Sequence, residues 1–278
     1  MSENEWVTGR VSLRINGAPL DLEMTVPANQ TKPHRMLPIF HQMANAFTQI
    51  GIDAAESEGR SISCKAGCGA CCRHPVPISE VEVYQIAELV ESMPESRRRV
   101  VKERFADAVD HFRKKGLLEE LKKHYDHGRP KTSRKQMEQA MDVAVKLFYE
   151  GIPCPFLENE SCSIHQDRPL ACREYLVTSP AENCAKPSAK NIQKVDLPIR
   201  PSKTLEHLGL TGRMTDEWPL LLILALELAE RYPESFPEKT GEAWMADFFN
   251  KLTESKNEGS VQPPGSARRK RKKRRRGA

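Results

Sequence analysis

From Trp6 to Val26 apolar and polar residues alternate, with Val11, Leu13 and Ile15 on one face and Leu20, Leu22, Met24 and Val26 following the turn "NGAP". A period of two on either side of a turn predicts a β-hairpin with one buried face. At Met36 the period lengthens. Phe40, Met43, Phe47, Ile50 and Ala54 recur every three or four residues, which describes an amphipathic helix ending near Gly59.

Two capping boxes punctuate the middle of the chain. "SEVE" at 79–82 lets Ser79 and Glu82 satisfy each other's backbone donors, opening a helix that runs to about Met93. Pro94 suits the first turn of the next helix, whose apolar face is Val101, Phe105, Val109 and Phe112 and whose end lies near Gly116. After a shorter piece, "LLEELKKHY", the box "SRKQ" at 133–136 opens a helix with Met137, Met141, Val145 and Phe148 as its expected inner face. Gly151 and Pro153 stop it.

Residues 154–184 are broken by Pro155, Pro169 and Pro180 and read as irregular chain with one short helix near 168–176. Beyond it, "VDLPIRP" suggests a short extended edge, "WPLLLILALELAERY" at 218–232 a buried core helix too short to span a bilayer, and "EAWMADFFNKL" an amphipathic helix through Trp244, Phe248 and Leu252. The pattern as a whole is that of a mostly α-helical protein with a small N-terminal β-hairpin and an irregular cysteine-rich metal-binding core. Four segments are expected: hairpin and helix at 1–59, a cysteine-cluster domain with a helical insertion at 60–190, a C-terminal helical segment packed on the same body at 191–254, and a disordered basic tail at 255–278.

Charge divides the chain unevenly. The run "RRKRKKRRR" at 268–276 holds nine basic residues; without it, 34 basic residues face 38 acidic ones, so the body is mildly acidic. Such a run binds phosphate backbones without sequence preference, which makes RNA or DNA the expected partner, ahead of anionic lipid and a purely solvated tail. An acidic, polar start without an apolar run, and the lack of any stretch long enough for a membrane span, suggest a cytoplasmic protein. A reducing compartment keeps thiols free, which bears directly on the eight cysteines.

Four of them fall in "CKAGCGACC" at 64–72, spaced C-x3-C-x2-C-C, with Gly67 and Gly69 around Cys68; the others are Cys154, Cys162, Cys172 and Cys184. A chain of 278 residues needs no disulfide staples, and short loops between thiolates present several sulfurs to one ion or cluster. Adjacent side chains diverge, so Cys71 and Cys72 either serve two metals or include a spare. C-x3-C-x2-C also occurs in radical enzymes that use S-adenosylmethionine, but serial strand–helix units and a following Gly-Gly-Glu are missing here.

"CKAGCGACC", "CPFL" and "CSIHQDRPLACR" together resemble the YkgJ-type cysteine-cluster family, bacterial proteins described as zinc- or iron-chelating domains, over about residues 60–185. The resemblance implies metal-ligand roles for Cys64, Cys68, Cys71, Cys72, Cys154, Cys162 and Cys172. His165 has a weaker claim, standing where such proteins often carry tyrosine. Cys184 lies outside the shared pattern, beyond Pro180 and with no partner spacing; it is a candidate ligand or equally a spare buried thiol. Arg168 and Arg173 belong to the same motif. A four-thiolate centre carries about two net negative charges, which guanidinium groups offset while donating hydrogen bonds to sulfur or substrate. Arg173, directly after Cys172, is the stronger candidate, and Asp167 is expected to cap the short helix.

Other residues carry less. His124 and His127 in "HYDH" read as a solvated helix end, and His74 in "HPVP" as part of a loop to the next helix. The expectation is a metal-binding protein, with an iron–sulfur cluster ahead of zinc because vicinal cysteines and eight thiolates suit a cluster or two-metal site better than one closed tetrahedron. Redox or methyl-transfer catalysis on a protein or other anionic substrate is the alternative, since relatives of the motif include lysine methylases of flagellin; no catalytic residue stands out.

Overall fold

Helices follow the apolar period over most of the chain in the computed structural model, which describes residues 5–15, 18–126, 129–130, 133–188 and 190–254. The hairpin turn at Asn16–Gly17, His127 and the basic tail lie outside the described residues. Strands β1 (Trp6–Ile15) and β2 (Ala18–Pro27) pair antiparallel with Val11 opposite Leu22 and Leu13 opposite Leu20. Leu13, Ile15, Met24 and Val26 are buried, while Thr8–Thr25 and Arg10–Glu23 pair across the outer face. The hairpin rests on α1 (Leu37–Ser57), whose Phe40, Met43 and Phe47 are buried.

The "SEVE" box forms as expected. Ser79 and Glu82 exchange hydrogen bonds at the start of α2 (Glu80–Glu91), and Pro94 caps α3 (Glu95–Lys114), which buries Val101, Phe105, Val109 and Phe112. Then come α4 (Leu117–Lys122), α5 (Arg134–Tyr149), α6 (Leu170–Glu174), α7 (Pro201–Leu205), α8 (Ala225–Arg231) and α9 (Gly241–Glu254). Trp244 of α9 is fully buried, with Nε1 donating to the Thr31 carbonyl at 2.8 Å, and Phe248 stacks on Phe40 with centroids 4.9 Å apart. A single hydrophobic core runs from Leu13 in the hairpin to Leu252 in α9.

Three elements differ from expectation. Helix α5 turns Ala140, Val143, Leu147 and Phe148 inward, so that Met137, Met141 and Val145 face outward. Its small and branched residues let it approach α4 closely, and the long methionines are left outside. "WPLLLIL" is not helical at its start: Ile78 N donates to the Leu220 carbonyl and Leu222 N to the Val76 carbonyl, both at 2.9 Å. That strand-like pairing consumes the backbone groups a helix would need, so α8 begins only at Ala225. "VDLPIRP" alternates as an extended segment, burying Val195, Leu197 and Ile199, but makes only an isolated bridge between Val177 and Lys194. No helix among the described residues is long and apolar enough to cross a membrane.

Candidate metal centre

Both cysteine groups meet at the entrance to α2. Leaving α1, the chain runs beside residues 177–178, where Ser63 N donates to the Val177 carbonyl at 2.9 Å. Gly67 then turns it at φ +79°, a conformation that only glycine adopts without strain. Cys71 and Cys72 follow on a one-turn 3-10 helix, Ala70–Arg73.

The second group docks on that turn through its backbone. Cys154 N donates to the Cys72 carbonyl at 2.7 Å. Two short strands, β3 (Leu157–Glu158) and β4 (Ser161–Cys162), then form a tight hairpin whose linking residues Asn159 and Glu160 both have positive φ, 49° and 57°. Glu160 is clamped to the first group by Arg73, whose guanidinium donates to the two carboxylate oxygens at 2.8 and 3.1 Å and to the Gly69 carbonyl at 3.0 Å. The approach is close enough that a Cβ on Gly69 would sit 2.8 Å from Leu157 Cδ1 and 3.1 Å from Glu160 Cα.

Cys172 sits on α6, whose expected cap is replaced. Asp167 makes no capping bond; instead Glu82 reaches 88 residues along the sequence, its Oε1 accepting from Leu170 N at 2.8 Å while Oε2 completes the α2 capping box. Burial raises the Glu82 pKa, and these donors pull it back. The remaining cysteine, Cys184, is buried on the 3-10 turn Ala181–Ala185, which packs against Ala70–Arg73. Sequence spacing separated Cys184 from the others; folding brings it to the first group.

The sulfurs fall into two neighbourhoods that share Cys71. Cys184 interacts electrostatically with Cys64, Cys68 and Cys71, whereas Cys172 interacts with Cys154, Cys71 and Cys162 and Cys72 with Cys71, Cys154 and Cys162. Burial, with a smaller push from neighbouring thiolates, raises Cys154 to about 12 and Cys184 to about 11; Cys172 is raised well above the usual thiol range for the same reasons. The adjacent thiols Cys71 and Cys72 influence one another's ionisation. The pair's first proton leaves readily, with Cys71 lowered to about 7 by the bond from Cys72, and loss of the second is strongly opposed. All eight thiols are free, and among the described residues no three His, Cys, Asp or Glu side chains are arranged to hold a metal ion.

The two arginines play different parts. Arg173 is buried and committed to the protein, donating to the Arg168 and Gln166 carbonyls and, at 3.2 Å, to Asn45 Oδ1 on α1. Arg168 faces the thiols: its charge favours the ionised forms of Cys64, Cys71, Cys162 and Cys172, and its Nε is buried without a hydrogen-bond partner. His165 is exposed, and the Arg168 charge is the largest cause of its lowered pKa. His74, expected in a plain loop, is wedged between Phe148, at 4.3 Å between centroids, and Tyr175, at 5.4 Å. Burial lowers it to about 4 and leaves its Nε2 without a partner. Only its position two residues after Cys72 signalled it in the sequence.

No curated protein and no solved structure matches the chain. A family model does, over residues 63–195, described as "CxxCxxCC: Putative zinc- or iron-chelating domain". The matched span opens one residue before Cys64 and closes at Val195, beyond Cys184, taking in both cysteine groups and the helical insertion between them. Over residues 63–195, just under half of its length, the chain is therefore similar to the CxxCxxCC family, described as zinc- or iron-chelating domains.

Proposed function

We propose that the protein holds iron–sulfur centres on two sets of thiolates, Cys64, Cys68, Cys71 and Cys184 in one and Cys72, Cys154, Cys162 and Cys172 in the other. The observation that supports this reading is the docking of the second cysteine group and of the Cys184 turn on the 3-10 turn that bears Cys71 and Cys72, with Cys154 N donating to the Cys72 carbonyl at 2.7 Å. Packed thiols that raise one another's pKa resist ionising together, and a bound cation relieves that resistance by replacing the protons. The donors are all sulfur, which suits zinc or an iron–sulfur cluster, and when bound a cluster would supply one-electron chemistry. Arg168 would offset the excess negative charge, with its unpartnered Nε free to donate to sulfur.

Single substitutions test the division. Cys172→Ser and Cys184→Ser are each expected to lose about half of the bound metal, and the double variant nearly all of it. Full metal content in Cys184→Ser would return that residue to the role of a spare buried thiol and leave one centre. The basic run 268–276 supports a separate proposal, electrostatic docking on RNA or DNA, tested by comparing the full chain with one ending at Glu258.

A further inference from the structure

Helix α5 leaves an apolar seam uncovered. Met137, Met141, Val145 and Tyr149 are 54%, 65%, 38% and 58% exposed, and they account for four of the seven large exposed apolar side chains among the described residues. Spaced four apart, they form one continuous strip about 18 Å long at 1.5 Å per residue. The opposite side of the helix is used: Ala140, Val143 and Leu147 enter the core, and Phe148 stacks on His74 beside the cysteine site.

We propose that this seam pairs with its own copy in a second molecule, the two α5 helices lying antiparallel about a twofold axis at the level of Val143. The seam is self-complementary in that register. Met137 then faces the partner's Tyr149, and Met141 faces the partner's Val145, so each long side chain meets a different shape and both ends close together.

Charge selects the same arrangement. Along one flank of the strip stand Glu138, Asp142 and Lys146 in order. In the antiparallel register the partner's Lys146 falls level with residue 140, midway between Glu138 and Asp142, and the relation repeats by symmetry. Parallel pairing in register would set this flank against the partner's opposite flank, Ala140, Ala144 and Phe148, where no charge is available to meet it. The present engagements of the flank are exchangeable: Glu138 pairs with Arg134 at 2.9 Å and Lys146 with Glu120 at 2.7 Å, both exposed pairs that solvent screens. Four side chains per molecule make a small interface, so the dimer is weak and reversible.

Sedimentation velocity of the full chain, from about 5 to about 300 μM at physiological salt, tests the pairing. The expected result is a monomer–dimer equilibrium that Met141→Glu weakens at least tenfold and Lys146→Glu weakens by a smaller factor. Circular dichroism of both variants should match the parent, because each substitution is on an exposed position. Swapping the whole flank, with Glu138→Lys, Asp142→Lys and Lys146→Glu together, should restore most of the association lost in Lys146→Glu. A parent chain that stays monomeric throughout would overturn the proposal and leave the seam to another segment of this chain or to a different partner. Association that survives Met141→Glu unchanged, or a swap that restores nothing, would overturn it as well.

Discussion

At the scale of single residues, the two glycines of "CKAGCGACC" have different reasons to be glycine. Gly67 turns the cysteine loop in the left-handed region, at φ +79°. The reason for Gly69 could not be read, because the atoms that exclude a Cβ there belong to Leu157 and Glu160, about 90 positions away. Nor did "LENES" announce a hairpin, since Asn159 and Glu160 take positive φ without a glycine between them. Each such residue costs on the order of 1 kcal/mol, and the Arg73–Glu160 clamp helps to hold the second in place. Gly69→Ala should therefore push the β3–β4 hairpin off the first cysteine turn and destabilise the fold by about 1 to 3 kcal/mol. A lower urea midpoint with an unchanged m value is the expected reading. An unchanged midpoint would mean that the contact yields without cost.

Among elements, the legible ones were those whose apolar period has a single solution. Helices α1, α3 and α9 carry strong three-to-four periodicity and bury most of the residues that period selects; in α1, Ile50 is only partly buried and Ala54 is exposed, with Ala55 buried instead. The face of α5 was misread because two stripes compete, and side-chain size alone favoured the methionine stripe that packing leaves outside. The "WPLLLIL" stretch was misread because composition cannot reveal that residues 76–78 will occupy its backbone. Glu82 is the clearest long-range case, capping its own helix and also accepting from Leu170 at the start of α6. Glu82→Ala removes both bonds and leaves a buried N–H without an acceptor, an expected loss of about 2 to 3 kcal/mol. Hydrogen exchange at Leu170 should accelerate in that variant, and Glu82→Gln, which keeps an acceptor oxygen, should lose less. Parent-like exchange at Leu170 in Glu82→Ala would contradict the assignment.

For the whole molecule, the cysteine-rich segments were legible in the sequence, whereas the way they dock on one another was not. The family resemblance implied one motif of seven cysteines, but only folding brings the Cys184 turn against the first group, across a stretch of chain that no spacing rule bridges. Likewise Arg173, chosen for its position after Cys172, is spent on carbonyl groups, while Arg168 faces the thiols. The uneven charge of the chain leads to one further expectation. Because the body carries 34 basic against 38 acidic residues, binding to nucleic acid should depend on residues 268–276. Affinity should fall on the order of a thousandfold between about 50 and 200 mM salt. Equal, salt-insensitive binding by the chain ending at Glu258 would remove that partner.

Metal identity bears most directly on function, because cysteine thiolates bind zinc or iron while only one choice brings redox chemistry. Zinc thiolates are colourless, whereas an iron–sulfur cluster absorbs broadly in the visible and bleaches on reduction. The decisive measurement is iron, zinc and acid-labile sulfide per chain in full-length protein purified without oxygen from iron-supplied cells. A brown protein containing iron and sulfide in similar amounts, with little zinc, is the predicted result. Colourless protein with stoichiometric zinc and no sulfide would contradict the iron–sulfur assignment.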